Sequence, residues 1–280
     1  MSRTVRLREL LLGVEGLALL RHLYDGDDAT ADARVAEIRR ILDDPAFDAG
    51  EPTAEASPRE GYAAWAEGYD DPDNIVIALE EPAVWTRLDG IAPGRALDAA
   101  CGTGRHARRL ADLGHEVTGV DLTPEMLDRA RERVPEATFA EGDLRALPAP
   151  DAAFDLVVCG LALAHVPDLR PAVGELARVL RPGGRLVVSV LHPFQAHLGW
   201  HAPFRGADGA RGFVREHPHT HAAYLDAFAA AGLALRGCDE PVMTAAQAPS
   251  KRRAYAAVPG ATVQAYAGLP AVLVWDVERR

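Results

Sequence analysis

The chain has 280 residues, of which 48% are hydrophobic, and a formal net charge of −11. This length allows one large domain or a domain with an appendage, and the hydrophobic content suffices for a sizeable core. Residues 25–73 hold 15 of the 41 acidic side chains and 4 of the 30 basic ones, so one segment carries the net charge. A phosphate backbone requires a basic surface, so the sequence argues against a nucleic-acid partner.

Membrane, export and metal-binding signals are missing from the sequence. No run reaches the roughly 18 apolar residues of a membrane span. The N-terminal stretch is charged and has no small-residue cleavage site, so we expect a cytoplasmic protein without a membrane partner. Three scattered cysteines, Cys101, Cys159 and Cys238, do not suit a disulfide framework or a zinc site, and we expect no metal.

Residues 1–90 are predicted to form an N-terminal helical segment. Residues 4–24 have apolar positions at helical spacing, and a second helix is predicted over 33–42, capped by Thr30 or Asp32. Residues 43–58 contain three prolines and a glycine, which is typical of a linker. Two further helices are predicted over 59–69 and 75–89.

Beyond Pro93-Gly94 the pattern alternates between strand and helix. The predicted strands cover 96–100, 116–121, 138–141, 154–161, 184–191, 233–239 and 271–277, and the predicted helices cover 105–113, 124–133, 169–180 and 224–231. Such alternation is typical of an α/β protein with helices on both faces of the sheet. We therefore predict a Rossmann-like, doubly wound, seven-stranded, mostly parallel sheet over 91–280. Residues 192–221 have no clear period and hold six of the ten histidines. We predict that they form an insertion on the substrate side of the domain.

A glycine-rich turn joins the first of these strands to the helix that follows it. The two glycines, Gly102 and Gly104, stand where a strand turns into a helix, and unpaired backbone N–H groups collect at such a turn. Glycine lets a nucleotide approach the backbone closely. The pattern G-x-G-x-x-A also fits a dinucleotide site, so the turn alone leaves the nucleotide open.

Three acids narrow that choice. Asp98 precedes the glycines inside the strand, where a dinucleotide fingerprint favours apolar residues. Asp121 ends the next strand, in a position to accept from both ribose hydroxyls, and Asp143 ends the third strand, in a position to accept from an adenine amino group. The three together favour S-adenosylmethionine.

Five ordered segments carry a family resemblance. They are 97–104 (LDAACGTG), 120–127 (VDLTPEML), 141–148 (EGDLRALP), 154–161 (FDLVVCGL) and 178–189 (RVLRPGGRLVVS). On these segments the chain resembles the class I S-adenosylmethionine-dependent methyltransferases of the small-molecule type, over about residues 61–277. Ala100 is a departure, because many members have glycine there.

The resemblance implies a cofactor-binding set and S-adenosyl-L-methionine as the cofactor. Gly102 and Gly104 would lie against the methionine end and the ribose, with Ala100 beside them, and Asp98 would approach the cofactor's amino group. Asp121 would hold the ribose, with Leu122 against the adenine. Asp143 and Leu144 would bracket the adenine, and Leu161 would face the cofactor near its sulfonium.

The sequence identifies the catalytic and acceptor-binding residues less clearly than the cofactor-binding residues. Methyl transfer needs a base only when the acceptor must lose a proton. One catalytic candidate is His165, for which the sequence favours a structural role, and another is His192, for which a catalytic and a structural role are both open. The third is Tyr69, because many relatives have a similar Tyr-Asp pair over the cofactor. The substrate-binding candidates are Tyr62, Trp65, Trp200 and His217.

We expect methyl transfer to a small-molecule acceptor, an aromatic or amine-bearing specialised metabolite, with the acceptor atom (C, N or O) left open. Residues 1–90 would form a lid over the acceptor or a dimer contact, so the protein would be a monomer or a homodimer. One alternative is a cyclase or decarboxylase of the same fold that binds S-adenosylmethionine without transferring methyl. A nicotinamide-dependent oxidoreductase is less favoured, because Lys251 is the only lysine and lies far from any predicted sheet strand.

Overall fold

The computed structural model describes residues 2–71, 74–206 and 209–280. The chain divides into two compact units. One comprises Met1–Glu55 with Val242–Leu269, and the other comprises Ala56–Pro241 with Pro270–Arg280. We call them the terminal unit and the sheet unit. The helices between residues 56 and 241 therefore belong to the sheet unit.

The strands are β1 (Ser2–Arg6), β2 (Gly50–Ala56), β3 (Arg95–Ala99), β4 (Glu116–Asp121), β5 (Thr138–Glu141), β6 (Phe154–Gly160), β7 (Leu180–Leu191), β8 (Ala202–Arg205), β9 (Arg211–Val214), β10 (Leu233–Asp239) and β11 (Val272–Arg279). The helices are α1 (Leu7–Arg21), α2 (Asp28–Asp43), α3 (Pro58–Trp65), α4 (Ile75–Leu88), α5 (Arg105–Asp112), α6 (Pro124–Arg133), α7 (Leu169–Val179), α8 (Pro193–His197), α9 (His221–Ala230), α10 (Arg252–Ala257) and α11 (Pro259–Tyr266).

The sheet unit contains the predicted seven-stranded sheet, in the order β10-β11-β7-β6-β3-β4-β5. Strands β7, β6, β3, β4 and β5 run parallel to their neighbours, whereas β11 is antiparallel to β7 and β10 is antiparallel to β11. This order confirms the predicted α/β, Rossmann-like fold. It also places the carboxyl ends of β3, β4, β5 and β6 side by side, which is where open α/β sheets bind ligands.

Two apolar layers cover the sheet. Leu97 and Ala99 belong to a cluster that includes buried residues of α7 and α9, while Ala96 belongs to a cluster that includes buried residues of α4 and α5. The alternation follows from strand geometry, because successive side chains point to opposite faces. Burial on both faces fixes the register, so the positions of the strand ends are fixed as well.

The N-terminal predictions need correction. Residues 2–6 form β1 rather than the first turn of a helix, and residues 50–56 form β2 rather than a linker. The two strands pair antiparallel, from Ser2 opposite Ala54 to Arg6 opposite Gly50. Pairing with a strand some 50 residues away stabilises these segments, and local composition does not reveal such a partner.

Two helix boundaries also differ from the prediction. Helix α2 begins at Asp28 and is capped by Asp27, which accepts from the Thr30 backbone N–H, so neither Thr30 nor Asp32 is the cap. Helix α3 ends at Trp65 instead of Tyr69, because the chain turns at Gly68, whose N–H donates to the Trp65 carbonyl.

The terminal unit joins the N-terminal segment to the segment Val242–Leu269. Helix α1 packs against α2, α10 and α11, and its buried residues are Leu11, Val14, Glu15 and Ala18. The sequence did not predict α10 and α11, which are short and lie in an alanine-rich segment without a clear apolar stripe. Across the described residues, no helix is long and apolar enough to span a membrane.

Candidate active site

The carboxyl ends of β3, β4, β5 and β6 open into a cavity of about 420 Å³. A cavity of this size suits a small ligand. Ten of the predicted site residues line it: Tyr62, Tyr69, Ala100, Gly102, Asp121, Leu122, Asp143, Leu144, Leu161 and His165. The structure therefore brings most of the predicted site residues around one cavity, although they come from five separate segments of the sequence.

The glycine turn is held by Asp121. The Gly102 backbone, at φ +53°, donates its N–H to Asp121 Oδ2 at 2.8 Å, and the Thr123 N–H donates to Asp121 Oδ1 at 2.9 Å. Burial raises the pKa of Asp121, and these two bonds oppose that effect by favouring the carboxylate. Asp121 thus fixes the turn while it lines the cavity.

Gly104 has a different position from Gly102. It begins α5 at φ +81°, and a Cβ there would stand 3.1 Å from the Ala130 Cα in α6. A side chain would push the two helices apart. Close packing with α6 and the left-handed backbone explain why glycine is required here.

Asp98 is fully buried under the turn. Its Oδ2 accepts from the Ala107 N–H at 2.8 Å, and Oδ1 has no hydrogen-bond partner among the residues that the structure describes. Burial raises the pKa of Asp98 to about 6, against the influence of His106. An unpaired buried oxygen carries a free-energy cost, so this position suits a donor supplied by a ligand.

Two non-glycine residues at the site have left-handed backbones. Ala100 has φ +59° and Leu161 has φ +56°, and both line the cavity. Such conformations cost L residues free energy and concentrate at ligand sites. Alanine in place of glycine at position 100 therefore strains the backbone at the cavity wall.

Asp143 and Leu144 form the wall beyond β5. The Asp143 carboxylate accepts from the Arg145 backbone N–H at 2.8 Å and pairs with the Arg145 guanidinium, which holds the pKa of Asp143 below its usual range. The acid is therefore ionised at neutral pH and can accept from an amino group.

Aromatic residues of α3 and the turn after it cover another side of the cavity. Tyr62 stacks on Trp65 with ring centroids 6.0 Å apart, and Tyr69 meets Trp65 edge-on at 5.2 Å. The neighbouring Asp70 is held at the glycine turn, because it accepts from Thr103 Oγ1 at 2.9 Å and from Arg133 Nη2 at 2.6 Å. Trp65 supports the two tyrosines and lies outside the set that lines the cavity.

His165 lies at the cavity wall just after β6. Its Nε2 is 2.7 Å from Tyr62 Oη, and its Nδ1 is 2.8 Å from the Arg215 carbonyl oxygen. Burial lowers the pKa of His165, so the ring is neutral. The structure thus joins two candidates that the sequence could not connect.

His192 occupies a different place, outside the residues that line the cavity. Its Nδ1 accepts from the Phe194 N–H and caps α8, while its Nε2 is 3.0 Å from Glu240 Oε1. His221 Nε2 is 2.8 Å from the same oxygen. These three side chains have the residue types of a metal site. Nδ1 of His192 accepts a hydrogen bond, however, whereas a metal-ligating histidine donates one from its second nitrogen, so hydrogen bonding describes the cluster better.

The remaining substrate candidates also lie outside the cavity lining. The His217 backbone N–H donates to the Ala164 carbonyl at 2.7 Å, and His219 Nε2 is 2.7 Å from the Val166 carbonyl oxygen. Trp200 follows α8 and bonds through its backbone N–H to Gln195. The histidine-rich insertion therefore makes hydrogen bonds to the segment 164–166, which contains the cavity-lining His165.

Two buried acids were missed by the sequence analysis. Glu80 of α4 accepts from Ser189 Oγ at 2.6 Å and lies 2.8 Å from His106 Nε2. Burial disfavours the Glu80 carboxylate, but His106 and Arg105 outweigh it and hold the pKa at about 2. Glu216, in the insertion, lies 3.7 Å from His165 Nε2. An acid in a helix or loop gives no local signal of burial, so neither could be singled out.

The fold and the site define a class of protein: an α/β domain with a glycine turn and acids at the ends of two neighbouring strands around one cavity. A family model described as a methyltransferase domain matches residues 97–188. This segment covers β4, β5 and β6 whole and parts of β3 and β7. The match identifies this segment as a methyltransferase domain, and the similarity to S-adenosylmethionine-dependent methyltransferases supports S-adenosylmethionine as its cofactor.

Individual proteins show the same similarity. The chain is 38% identical over 129 residues to a demethylmenaquinone methyltransferase of Renibacterium salmoninarum, covering 44% of this chain and 54% of the relative. It is 44% identical over 100 residues to a malonyl-[acyl-carrier protein] O-methyltransferase of Serratia marcescens, covering 35% and 39%. The chain thus spans about half the length, or less, of these curated relatives.

A solved structure extends the similarity to a whole neighbour. An S-adenosylmethionine dependent methyltransferase from Mesorhizobium loti superposes with a TM-score of 0.57 at 27% sequence identity. The match covers 76% of this chain and 100% of the neighbour.

The residues at the cavity fit the cofactor. The ionised Asp143 lines the cavity as an acceptor, and the Gly102 position has open space where a Cβ would stand. The unpaired oxygen of Asp98 is a further acceptor, although Asp98 is buried beneath the glycine turn and does not itself line the cavity. The bound cofactor supplies an activated methyl group on a positively charged sulfur. The chain's own task is then to orient the acceptor and exclude water.

Proposed function

We propose that the protein transfers the methyl group of S-adenosylmethionine to a small-molecule acceptor, an aromatic or amine-bearing specialised metabolite. The observation that carries the proposal is one continuous cavity. Gly102 and Asp121 line it on the side expected to hold the cofactor, and Tyr62, Tyr69 and His165 line it elsewhere. Aromatic walls favour a flat, apolar acceptor.

In this proposal the residues have separate tasks. Asp121 holds the ribose, Asp143 and Leu144 bracket the adenine, and Asp98 accepts from the amino group of the methionine end. Helix α3 and the turn to Asp70 cover the acceptor. Tyr69 positions that cover, because its ring contacts Trp65 and lies 5.9 Å from the Arg105 guanidinium.

Binding and transfer are tested separately. Calorimetry with S-adenosylhomocysteine and with NADH measures which nucleotide binds, and we expect binding of the first alone. S-adenosylmethionine with a labelled methyl group is then incubated with phenols, hydroquinones, and primary and tertiary amines. Label in a small molecule supports the proposal. Cofactor binding without transfer to any acceptor would instead favour a cyclase or decarboxylase of this fold.

A further inference from the structure

We propose that Tyr62, His165 and Glu216 form a proton-accepting chain at the acceptor end of the cavity, and that the acceptor is a hydroxyl compound whose proton leaves during methyl transfer. The inference rests on the proposed function and names the substrate class of that site. It goes beyond the cofactor-binding residues, because none of these three side chains belongs to the predicted cofactor-binding set.

The hydrogen bonds of His165 fix the direction of the chain. A carbonyl oxygen can only accept, so the contact of 2.8 Å to Arg215 O places a proton on His165 Nδ1. Because the ring is neutral, Nε2 carries a lone pair. The Tyr62 hydroxyl therefore donates to Nε2 across 2.7 Å. This leaves the lone pairs of Tyr62 Oη for a proton donor in the cavity, which Tyr62 lines.

The proton movement that follows is balanced. The acceptor oxygen forms a bond to the methyl carbon as the carbon–sulfur bond breaks, and that electron pair stays on sulfur. The proton of the acceptor hydroxyl moves to Tyr62 Oη, and the proton of Tyr62 moves to His165 Nε2. The histidine ends as an imidazolium, and its Nδ1–H continues to donate to the Arg215 carbonyl.

Glu216 supplies the charge that this imidazolium requires. Its Oε1 lies 3.7 Å from His165 Nε2, and the side chains of both residues are more than nine-tenths buried. Glu216 Oε2 has no hydrogen-bond partner within the described parts of the chain. A buried carboxyl without a hydrogen-bond partner costs free energy, so its presence beside a buried base indicates a functional role. The neighbouring base is His165.

The position of Glu216 is fixed from both sides. Its backbone N–H donates to His201 Nδ1 at 3.2 Å, the preceding Arg215 accepts from His165, and the following His217 donates its N–H to the Ala164 carbonyl. The segment 215–217 is thus fastened to the segment after β6. These backbone contacts hold the Glu216 carboxyl beside His165.

The titratable groups around the chain come from several elements. Tyr62 on α3, Tyr224 on α9, His165 after β6 and His201 before β8 lie around Glu216. Tyr69, Asp121 and Arg105 in turn interact electrostatically with Tyr62. Burial raises the pKa of Glu216 to about 8 and raises that of Tyr62 further above its usual value. The rate of transfer should therefore rise with pH as the carboxylate forms.

The placement of protons is tested without any acceptor. Full-length protein with ¹⁵N-labelled histidine is examined by NMR between pH 5 and 9, and His165 is assigned by the signal lost in His165→Asn. We expect a protonated Nδ1 and an unprotonated Nε2 at pH 7, with a changed Nε2 shift in Tyr62→Phe. A proton on Nε2, or a ring that titrates like a solvent-exposed histidine, would overturn the chain.

The chemical step is tested with the acceptor labelled in the methyl-transfer panel. General-base catalysis contributes roughly 10²–10⁴-fold, so Tyr62→Phe and His165→Asn should lower kcat by about 10² or more and leave S-adenosylhomocysteine binding unchanged. Glu216→Gln should abolish the rise of kcat around pH 8 with little change in KM, and Glu216→Asp should restore part of it. Glu116→Gln, an exposed acid at the start of β4, is the matched control.

Failure of the inference differs from failure of the proposed function. Transfer to no compound in the panel would contradict the proposed function. Transfer to a tertiary amine, which has no proton to lose, would contradict the inference and leave the function intact. A kcat and a pH dependence equal to those of the wild type in Tyr62→Phe, His165→Asn and Glu216→Gln would likewise contradict the inference and leave the function intact.

Discussion

Asp121 combines two tasks at the scale of single residues, because its carboxylate accepts from the Gly102 and Thr123 backbones while it lines the cavity. Asp121→Ala should weaken S-adenosylhomocysteine binding by about 1–3 kcal/mol, since charge-assisted hydrogen bonds are lost. Calorimetry measures the change. Asp121→Asn keeps the size of the side chain and separates the loss of charge from the loss of shape. Unchanged affinity in the alanine variant would refute the ribose role.

Ala100 offers a test of the strained turn. At φ +59° an alanine is disfavoured relative to glycine, although glycine also loses more conformational freedom on folding. We expect Ala100→Gly to stabilise the protein by about 0.5–1 kcal/mol in urea unfolding, with cofactor affinity unchanged. A loss of stability would show that the backbone at this position is not strained.

Glu216 predicts a pH-dependent stability. Its pKa in the folded protein, about 8, lies above the ordinary 4.5, so the folded state holds a proton that the unfolded state releases between these values. Stability is therefore unaffected by this group below pH 4.5 and falls as the pH rises towards 8. Glutamine cannot ionise, so Glu216→Gln should raise the melting temperature more at pH 8 than at pH 5. The gain in stability is a few kcal/mol at most, because a shift of one pKa unit corresponds to about 1.4 kcal/mol. Equal gains at both pH values would contradict the buried, protonated state.

At the scale of elements, helix α3 lies against the hairpin of β8 and β9, and Gly61 makes this contact possible. A Cβ at Gly61 would stand 2.3 Å from Val214 Cγ2 and 3.0 Å from the Phe204 ring. The same helix carries Tyr62 and is capped by Ser57, whose hydroxyl accepts from the Glu60 N–H in a capping box. The position of the acceptor wall is thus set by a helix and hairpin that meet at a glycine.

Gly61→Ala should destabilise the protein by about 1–3 kcal/mol, because the helix must move off the hairpin, and it should reduce methyl transfer by displacing Tyr62. The matched control is Gly174→Ala in α7, where a Cβ meets nothing within 4 Å. That change should stabilise by about 0.5–1 kcal/mol through helix propensity. Chemical denaturation of both variants gives the comparison, and equal effects would rule out the contact.

At the scale of the whole molecule, hydrogen bonds link the two segments of the terminal unit, Met1–Glu55 and Val242–Leu269. Arg21, at the end of α1, donates to the carbonyls of Gln264, Ala265 and Ala267 at 2.9, 3.0 and 2.7 Å. These carbonyls lie at the end of α11, where helical acceptors lack intrahelical partners. One side chain thus links segments more than 240 positions apart.

Arg21→Met keeps the apolar stem and removes these bonds. We expect amide hydrogen exchange to increase in α1 and α11 together, with little change in β3–β7, since charged hydrogen bonds contribute roughly 1.5–3 kcal/mol. Arg39→Met, at an exposed position in α2, should leave exchange unchanged. Faster exchange confined to one of the two helices would show that they do not open as a unit. Oligomeric state and cellular location stay predictions at this scale.

The sequence by itself determined the sheet, the glycine turn and the acids at the strand ends. These features are local: a strand buried on both faces is a continuous apolar run, and a nucleotide turn needs glycine at fixed positions. The ends of parallel strands then share one edge, so Asp121, Asp143 and Leu161 meet without further information.

Only the tertiary structure decided which groups face the acceptor and which segments form the terminal unit. Tyr62 and His165 are 103 positions apart, and Glu216 follows the histidine by a further 51. The pairing of β1 with β2 and the packing of α1 on α11 likewise join distant segments. Such contacts depend on packing between elements and on burial, and neither has a signature in the local sequence.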